Sequence, residues 1–246
     1  MFHIFGKKLF LVDHLQKFVD IHNHILPGID DGAKTSEDAI ALIRGFSEFG
    51  VDNFIATPHI IHNYYPNTPQ SINQSLALLK NELLKVDLRE VSIAASAEHM
   101  IDDNFETILD RKDVMHMRND YLLIEMSYLQ PPLNFDTAIV KIASKRYYPV
   151  LAHPERYNFL HFKPRKYGHY KEQGILFQLN FLSLGDFYGK EVHRMTMKLL
   201  EDGLIDFAAS DVHNLHQLKA LKELTVSRRV LRQMLPIINN TIATFY

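Results

Sequence analysis

Residues 18–24 read Phe18-Val19-Asp20-Ile21-His22-Asn23-His24, and the fold turns on this stretch. An apolar, partly β-branched run gives way to two histidines. In an extended strand residues two apart point the same way, so both imidazoles can bind one metal. The His-X-His pattern is weak alone in a chain with 14 histidines; its place at the end of an apolar run gives it weight.

The same theme repeats along the chain. Short apolar runs at Phe18–Ile21, Phe54–Thr57, Val91–Ala95, Tyr121–Ile124, Val150–Ala152, Leu176–Leu179 and Phe207–Ala209 read as strands. Helical patterns separate them. Thr35 or Ser36 caps a helix with Ala39, Ile40, Ile43 and Phe46 on its apolar face, stopped by Gly50. Ile72, Leu76, Leu79 and Leu83 mark a second helix, and Ala138, Ile139, Ile142 and Ala143 a third. Val192 to Leu200 form a fourth, and one long final helix runs around Leu218 to Leu235. Strand–helix alternation predicts an α/β protein with a parallel sheet.

The residues just past each strand choose between an open sheet and a barrel. In order they are His22 and His24, His59, Glu98, Glu125, His153, Asn180, and Asp211 with His213. An open sheet needs only one or two strand ends at its crevice, whereas a barrel gathers all of them around one mouth. Ligands from so many strands converge only if the sheet closes. The expectation is a closed or nearly closed (β/α) barrel of seven strands, with its active site at the C-terminal strand ends. Residues 1–17 form an extension, a short helix or strand on the barrel bottom, and 18–246 a single domain. The basic, aromatic stretch Phe159–Tyr170 reads as a long loop leading into a helix.

Bulk composition narrows the chemistry. Of 246 residues 46% are hydrophobic and 23% charged, as in an ordinary globular protein, and the net charge of −2 gives no reason to expect nucleic acid. With no cysteine there is no disulfide, thiolate zinc site or cysteine nucleophile, so metal-activated water becomes the natural hydrolytic reagent. Met1–Val12 is interrupted by Lys7 and Lys8 and resembles no signal peptide, and no run of apolar residues is long enough to span a membrane. A cytoplasmic setting is expected.

Each chemical fragment has a bland reading beside a sharp one. Asp30-Asp31-Gly32 taken alone is an ordinary turn. Pro58 fixes the direction in which His59 leaves its strand. Glu98 and Glu125 end runs so apolar that an unpaired carboxylate there is costly. His153-Pro154-Glu155-Arg156 repeats the histidine–proline punctuation, and Asp211-Val212-His213 sets two ligand types two residues apart. The set is stronger than its parts. Mixed imidazole and carboxylate donors without sulfur suit manganese, iron or zinc in hydrolysis, and nine such residues exceed what one ion uses. The remaining histidines, 3, 14, 62, 99, 116, 161, 169, 193 and 216, read as surface or packing residues. His62 and His161 are candidates for the border of a cleft. Tyr64, Tyr65 and Tyr128 either line it or simply pack.

Asp-Ile-His-Asn-His with Ile-Asp-Asp-Gly, Ala-His-Pro-Glu-Arg-Tyr and Ala-Ser-Asp-Val-His-Asn resembles the PHP (polymerase and histidinol phosphatase) superfamily. Within it the chain is similar, from Asp20 to Asn214, to the bacterial manganese-dependent protein-tyrosine phosphatases of capsule and exopolysaccharide loci. The resemblance implies a distorted (β/α)7 barrel with three divalent metals, manganese first and iron or zinc next. It implies one ion on His22, His24, Glu98 and Asp211, a second on Glu98, Glu125 and His153, and a third on Asp31, His59 and His213. Arg156 would bind phosphate, and a hydroxide between two metals would attack. The implied partner is a tyrosine autokinase with a tyrosine-rich tail that regulates polysaccharide export. One departure stands out: family members often carry a second arginine after the Asp-X-His motif, where this chain has Leu215-His216-Gln217-Leu218-Lys219. A lysine at 219 cannot copy a bidentate guanidinium grip. Competing readings are a small-molecule phosphatase such as histidinol-phosphate phosphatase, an amidohydrolase lacking its carbamylated lysine, and a metal-binding barrel without catalysis.

Overall fold

The computed structural model describes residues 9–246. In chain order, strand β1 (Leu9–Phe10) and a 3-10 turn over Leu11–His14 lead into β2 (Val19–Asp20). Helix α1 (Ser36–Ser47), strands β3 (Asn53–Ala56) and β4 (His59–Ile60), and helix α2 (Pro69–Lys85) follow. Next come β5 (Ser92–Ala95), β6 (Glu98–Met100), α3 (Phe105–Arg111), β7 (Tyr121–Glu125), α4 (Phe135–Ser144) and β8 (Tyr148–Ala152). Two short helices, α5 (Asn158–His161) and α6 (Arg165–Glu172), precede β9 (Leu176–Asn180), α7 (Lys190–Glu201) and β10 (Phe207–Ala209). The chain closes with α8 (Leu215–Glu223), β11 (Thr225–Val226) and α9 (Arg228–Phe245).

All seven expected strands are present, but two are broken. Pro58 has no N–H to donate, so the strand halts at Ala56 and resumes at His59. Its neighbour breaks at the same level, between Ala95 and Glu98. The breaks divide the parallel ladders into a three-stranded sheet, β2-β3-β5, and a six-stranded sheet, β4-β6-β7-β8-β9-β10. Chain order is kept across both. Past β2 the backbone bridges two flanks: Asp211 N donates to His22 O (2.7 Å), His24 N to Val212 O (3.0 Å) and Thr57 N to Asn23 O (3.0 Å).

Strands β7 to β10 are buried on both faces, as in parallel sheets, while β5 exposes Ser92 and Ala94 on one face. Val19, Ile21, Leu123, Val150, Ala152, Phe207 and Ala209 form one apolar cluster. Their alternates Leu122, Ile124, Leu151 and Ala208 join the larger cluster packed under the helices. Each fully buried Leu or Ile contributes about 1.5–3 kcal/mol.

The helices start where capping chemistry permits. Thr35 accepts from Asp38 N and the Asp38 side chain returns the bond, a capping box that opens α1. Ala39, Leu42, Ile43 and Phe46 are its buried residues, so Leu42 rather than Ile40 completes the face, and Gly50 ends the segment at φ 79°. Phe159–Tyr170 is more ordered than a loop, being largely α5 and α6. The expected single final helix is two. Leu224 is extended, Thr225 and Val226 pair antiparallel with β1, and Ser227 caps α9 by accepting from Val230 N. Helix α9 then runs through Pro236 to Phe245. Of the extension, residues 1–8 lie outside the described residues. The rest is a strand and a 3-10 turn whose Leu11 and Leu15 are buried, with Lys17 N bonded to Gly50 O. Among the described residues no helix is long and apolar enough to cross a membrane.

Candidate metal centre

Strand register begins the site. His59 is the β-partner of Glu98, and Met100 of Glu125, so the β4-β6-β7 ladder sets one imidazole beside two carboxylates. His22 and His24 enter from the loop after β2, and Asp211 and His213 from the loop after β10. His153 follows β8 directly. Two of these residues sit in the left-handed backbone region, His153 at φ 35° and Asp211 at φ 52°. Such strain costs of order 1–3 kcal/mol and persists only where surroundings impose it.

All nine residues singled out by sequence converge. His22, His24 and Asp211 form one group able to hold an ion; His22, Glu98 and His153 another; His59, Glu98 and Glu125 a third; and His24, Asp31, His59 and His213 a fourth, with ligand atoms in each group within 4.8 Å of one another. The grouping differs from that implied by resemblance: Glu98 is outside the group of His22, His24 and Asp211, and His24 also joins Asp31, His59 and His213. His153 faces Glu98 (Nε2 to Oε1, 2.9 Å) and groups with His22 rather than with Glu125. His59 belongs to two groups, its Nδ1 against Glu98 (3.0 Å) and Glu125 (2.9 Å) and its Nε2 toward Asp31 (3.5 Å). His22 and Glu98 are fully buried, whereas Asp31 at the rim is 48% exposed, so the cluster runs from interior to mouth.

Do these residues fit metal ions? His59 Nδ1, Glu98 Oε2 and Glu125 Oε1 are buried and close together, yet none has a partner with hydrogen-bond geometry. Their lone pairs aim at shared space rather than at each other. His22 Nε2 and His24 Nε2 likewise face one another at 3.3 Å. The opposite ring nitrogens are anchored: His22 Nδ1 to Gln178 Oε1 (2.7 Å), His24 Nδ1 to Asp30 Oδ2 (2.8 Å) and His213 Nδ1 to Asp211 O (3.0 Å). Anchoring Nδ1–H fixes the tautomer that leaves Nε2 free for a metal. The donor set fits.

Electrostatics agree with this. Burial alone would raise Glu98, but His22 and His59 beside it hold it well below the usual carboxylate range. Burial and the nearby charge of Glu98 push Glu125 up. Burial opposes charge on His24 most strongly, yet Asp30 and Asp211 together outweigh it and raise the imidazole to about 10. His59 is raised too, by Glu125 and Glu98 against its burial. His153 and His213 go the other way, to about 4, through burial together with Arg156 and His24 respectively. Two imidazoles are therefore ready as neutral ligands, and the others hold protons that a divalent cation would displace.

Arg156 lies beside the cluster. Its Nη1 donates to Asp211 Oδ2 (2.6 Å), and its guanidinium sits between two tyrosine rings, 4.9 Å from the Tyr128 centroid and 4.2 Å from that of Tyr188. With five donors it keeps others for the cleft it lines. Tyr128 also stacks on His153, and Tyr65 on His59 (5.7 Å between centroids), so both line the site. Lys219 does not replace the missing arginine: it is 74% exposed and faces Glu223. His99 is the packing residue expected, bonded between Leu123 O and Met115 N.

Sequence reading missed the supporting residues. Asp30 holds His24 and also accepts from Gly32 N and His59 N, work hidden behind an ordinary turn. Gln178 is a lone polar residue inside an apolar strand, a signal that was there to read. Asp20, pushed up to about 6 by burial, takes both the amide and the hydroxyl of Ser210 and ties the two histidine-bearing loops together. Tyr188 carries no local signal.

Comparison with known proteins fixes the family. Residues 18–234 match the family described as capsular polysaccharide synthesis, CpsB/CapC. The chain belongs to the CpsB/CapC family. Among relatives, it is 33% identical over 197 residues to the tyrosine-protein phosphatase YwqE of Bacillus subtilis (strain 168), covering 80% of this chain and 77% of that protein. A putative tyrosine-protein phosphatase CapC of Staphylococcus aureus is 30% identical over 200 residues, with 80% and 77% covered. Among solved structures, this CpsB/CapC chain matches one from work on YwqE of Bacillus subtilis and CpsB of Streptococcus pneumoniae, described as unique metal-dependent tyrosine phosphatases. The TM-score is 0.76 at 29% identity, covering 90% of this chain and 94% of that one. Histidinol phosphate phosphatase of Lactococcus lactis, solved with zinc, L-histidinol and phosphate, shares the fold alone: TM-score 0.53, 12% identity, 89% and 94% covered. The expected resemblance to bacterial tyrosine phosphatases of capsule loci is borne out.

Proposed function

We propose that this chain is a metal-dependent protein-tyrosine phosphatase, acting on the phosphotyrosine of a bacterial tyrosine autokinase that governs capsular or exopolysaccharide synthesis. The observation that carries the reading is the convergence of nine imidazole and carboxylate donors into overlapping groups beside Arg156. His22, His24, His59 and Glu98 are shared between groups, which favours several neighbouring ions over one. Three divalent ions, manganese first and iron or zinc next, suit the donors. When bound, such ions supply an activated water near neutral pH and neutralise phosphoryl oxygens.

The chain's own residues do the rest. Gln178, Asp30 and the Asp211 carbonyl orient three imidazoles. Arg156, held between tyrosines and drawn to Asp211, presents its remaining N–H groups to a phosphate in the mouth. Its charge stabilises the transition state as negative charge gathers on the transferring group. A phenolate with pKa about 10 leaves more readily than an alkoxide, so phosphotyrosine needs no strong general acid. Phosphotyrosine is made where a kinase finds ATP, so the reading carries a cytoplasmic setting.

The reading also includes a distorted (β/α)7 barrel over 18–246, with 1–17 as an extension. The chain-order ladders, the hydrogen bonds from residues 22–24 to 211–212, and an inner apolar cluster distinct from the outer core support it. Release of phosphate from a phosphotyrosine peptide and from histidinol phosphate, using metal-stripped protein with manganese returned, tests the function. Metal-dependent turnover of the peptide is expected; turnover of histidinol phosphate alone would overturn the substrate.

A further inference from the structure

Beside Arg156 opens a cleft of about 670 Å³ between α5 and the start of α7. His161 and Phe162 line one side, and Lys190, Glu191 and Arg194 the other. Glu191 is paired with Arg194, so the acid inside the cleft is already neutralised. Lys190 forms no ion pair among the described residues. Directly past α5, Lys163, Arg165 and Lys166 are exposed and likewise have no ion-pair partner among the described residues. Phe162 stands 88% exposed at the rim. Lys190 lines the cleft and the other three follow its wall residue Phe162 in the chain, a cationic excess over the exposed Asp186 nearby, in a chain of net charge −2. Gly189 adds the start of α7, whose first amides have no side-chain cap.

The other side of the mouth is different. Next to Tyr65, which stacks on His59, the groove is walled by Tyr64, Leu129, Pro131 and Leu133. Among the described residues that groove is lined by no lysine or arginine, and its one carboxylate, Asp102, accepts from His62 N and Asn104 N, so the cationic flank is the one beside Arg156.

We propose that the cleft between α5 and α7 is a subsite for an anionic side chain of the same peptide that carries the scissile phosphotyrosine. This rests on the phosphatase reading. The substrate is then an extended peptide, apolar on one side of its phosphotyrosine and acidic on the other. A concave site continuous with Arg156 suits a peptide side chain better than a flat anionic surface. The anion is a carboxylate or a second phosphate; both present oxygens to Lys190 and the cations after α5.

The experiment uses metal-loaded full-length protein and phosphotyrosine peptides with paired glutamates before, after, or on neither side, the neutral control carrying glutamines. A further peptide replaces the glutamates with one phosphoserine. The expected kcat/KM is about ten-fold higher for acid on one side only, falling toward the neutral peptide as salt rises. The ratio of acidic to neutral peptide should drop about two- to five-fold in Lys190→Ala and again in Lys163→Ala/Arg165→Ala. Phosphoserine exceeding glutamate would identify phosphate as the preferred anion, and equality a carboxylate site; either supports the subsite. Equal turnover of all peptides, or equal gain from acid on both sides, overturns it. So does an unchanged ratio in the variants accompanied by loss of binding to phosphatidylserine vesicles, which would make the patch a membrane contact. Absence of turnover on every peptide would instead strike the phosphatase reading.

Discussion

Glu98 has the most demanding position in the protein. It is fully buried, touches His22, His59 and His153, and belongs to two of the four ligand groups. Glu98→Ala should lower phosphotyrosine turnover by at least about 1,000-fold, with bound metal per chain, measured by elemental analysis, falling in parallel. Gln178→Leu removes no ligand but frees His22 to rotate; metal affinity should fall about 10–100-fold, with activity recovering at high manganese. Arg156→Lys should raise KM for the peptide about ten-fold or more, because a lysine neither forks onto phosphate nor fills the slot between Tyr128 and Tyr188. Eight of the nine candidate donors were legible because they come at or just after the end of an apolar run, whereas Asp31 sits in a turn and was singled out only through the resemblance. Gln178 left a signal, a polar residue inside an apolar run, but not its partner; Asp30 and Tyr188 left none, because hydrogen-bond direction across strands and loops has no local pattern.

Among the elements, the loop that carries Asp30 to Gly32 is the tightest. A Cβ on Gly32 would stand 2.0 Å from His24 O, with the His24 Cβ also within 2.5 Å. Backbone cannot step aside as a flexible side chain does. Gly32→Ala should cost about 1–3 kcal/mol of stability, read as a lower denaturation midpoint, and shift the anchored His24 enough to weaken metal binding. Strand positions were readable because both faces of most strands are buried and the runs are nearly continuous. The break at Pro58 was readable in kind, but its echo at Ser96 and Ala97 was not, since it follows from pairing with the neighbouring strand. Helix α8 parted from α9 for a similar reason: Thr225 and Val226 continue a plausible helical face, and pairing with β1 pulls them out of it. The expectation of a closed barrel came from where ligands must meet, not from any local pattern.

For the molecule as a whole, protons and metal compete for one buried cluster. His24, raised to about 10, holds its proton in the folded metal-free state at pH values where the unfolded chain, near 6.5, has lost it. That contribution is complete below about pH 6.5 and disappears as pH climbs toward 10; His59 and His22, also raised, act in the same direction. Metal-stripped protein should therefore lose melting temperature from pH 6.5 to 10. Manganese should restore progressively more over that range, since each imidazole it takes must first be deprotonated. A melting temperature of the stripped protein that rises with pH across the window would contradict this.

His22 and His213 are about 190 residues apart, yet their candidate ligand groups share His24. A ribosome needs about 10 to 40 s to cover that distance. For all that time the two groups that need Asp211 or His213 lack a member, although His59, Glu98, Glu125 and His153 are made before it ends. The groups that draw on Asp211 and His213 are thus the last to be completed, and a chain cut short before Asp211 could assemble neither.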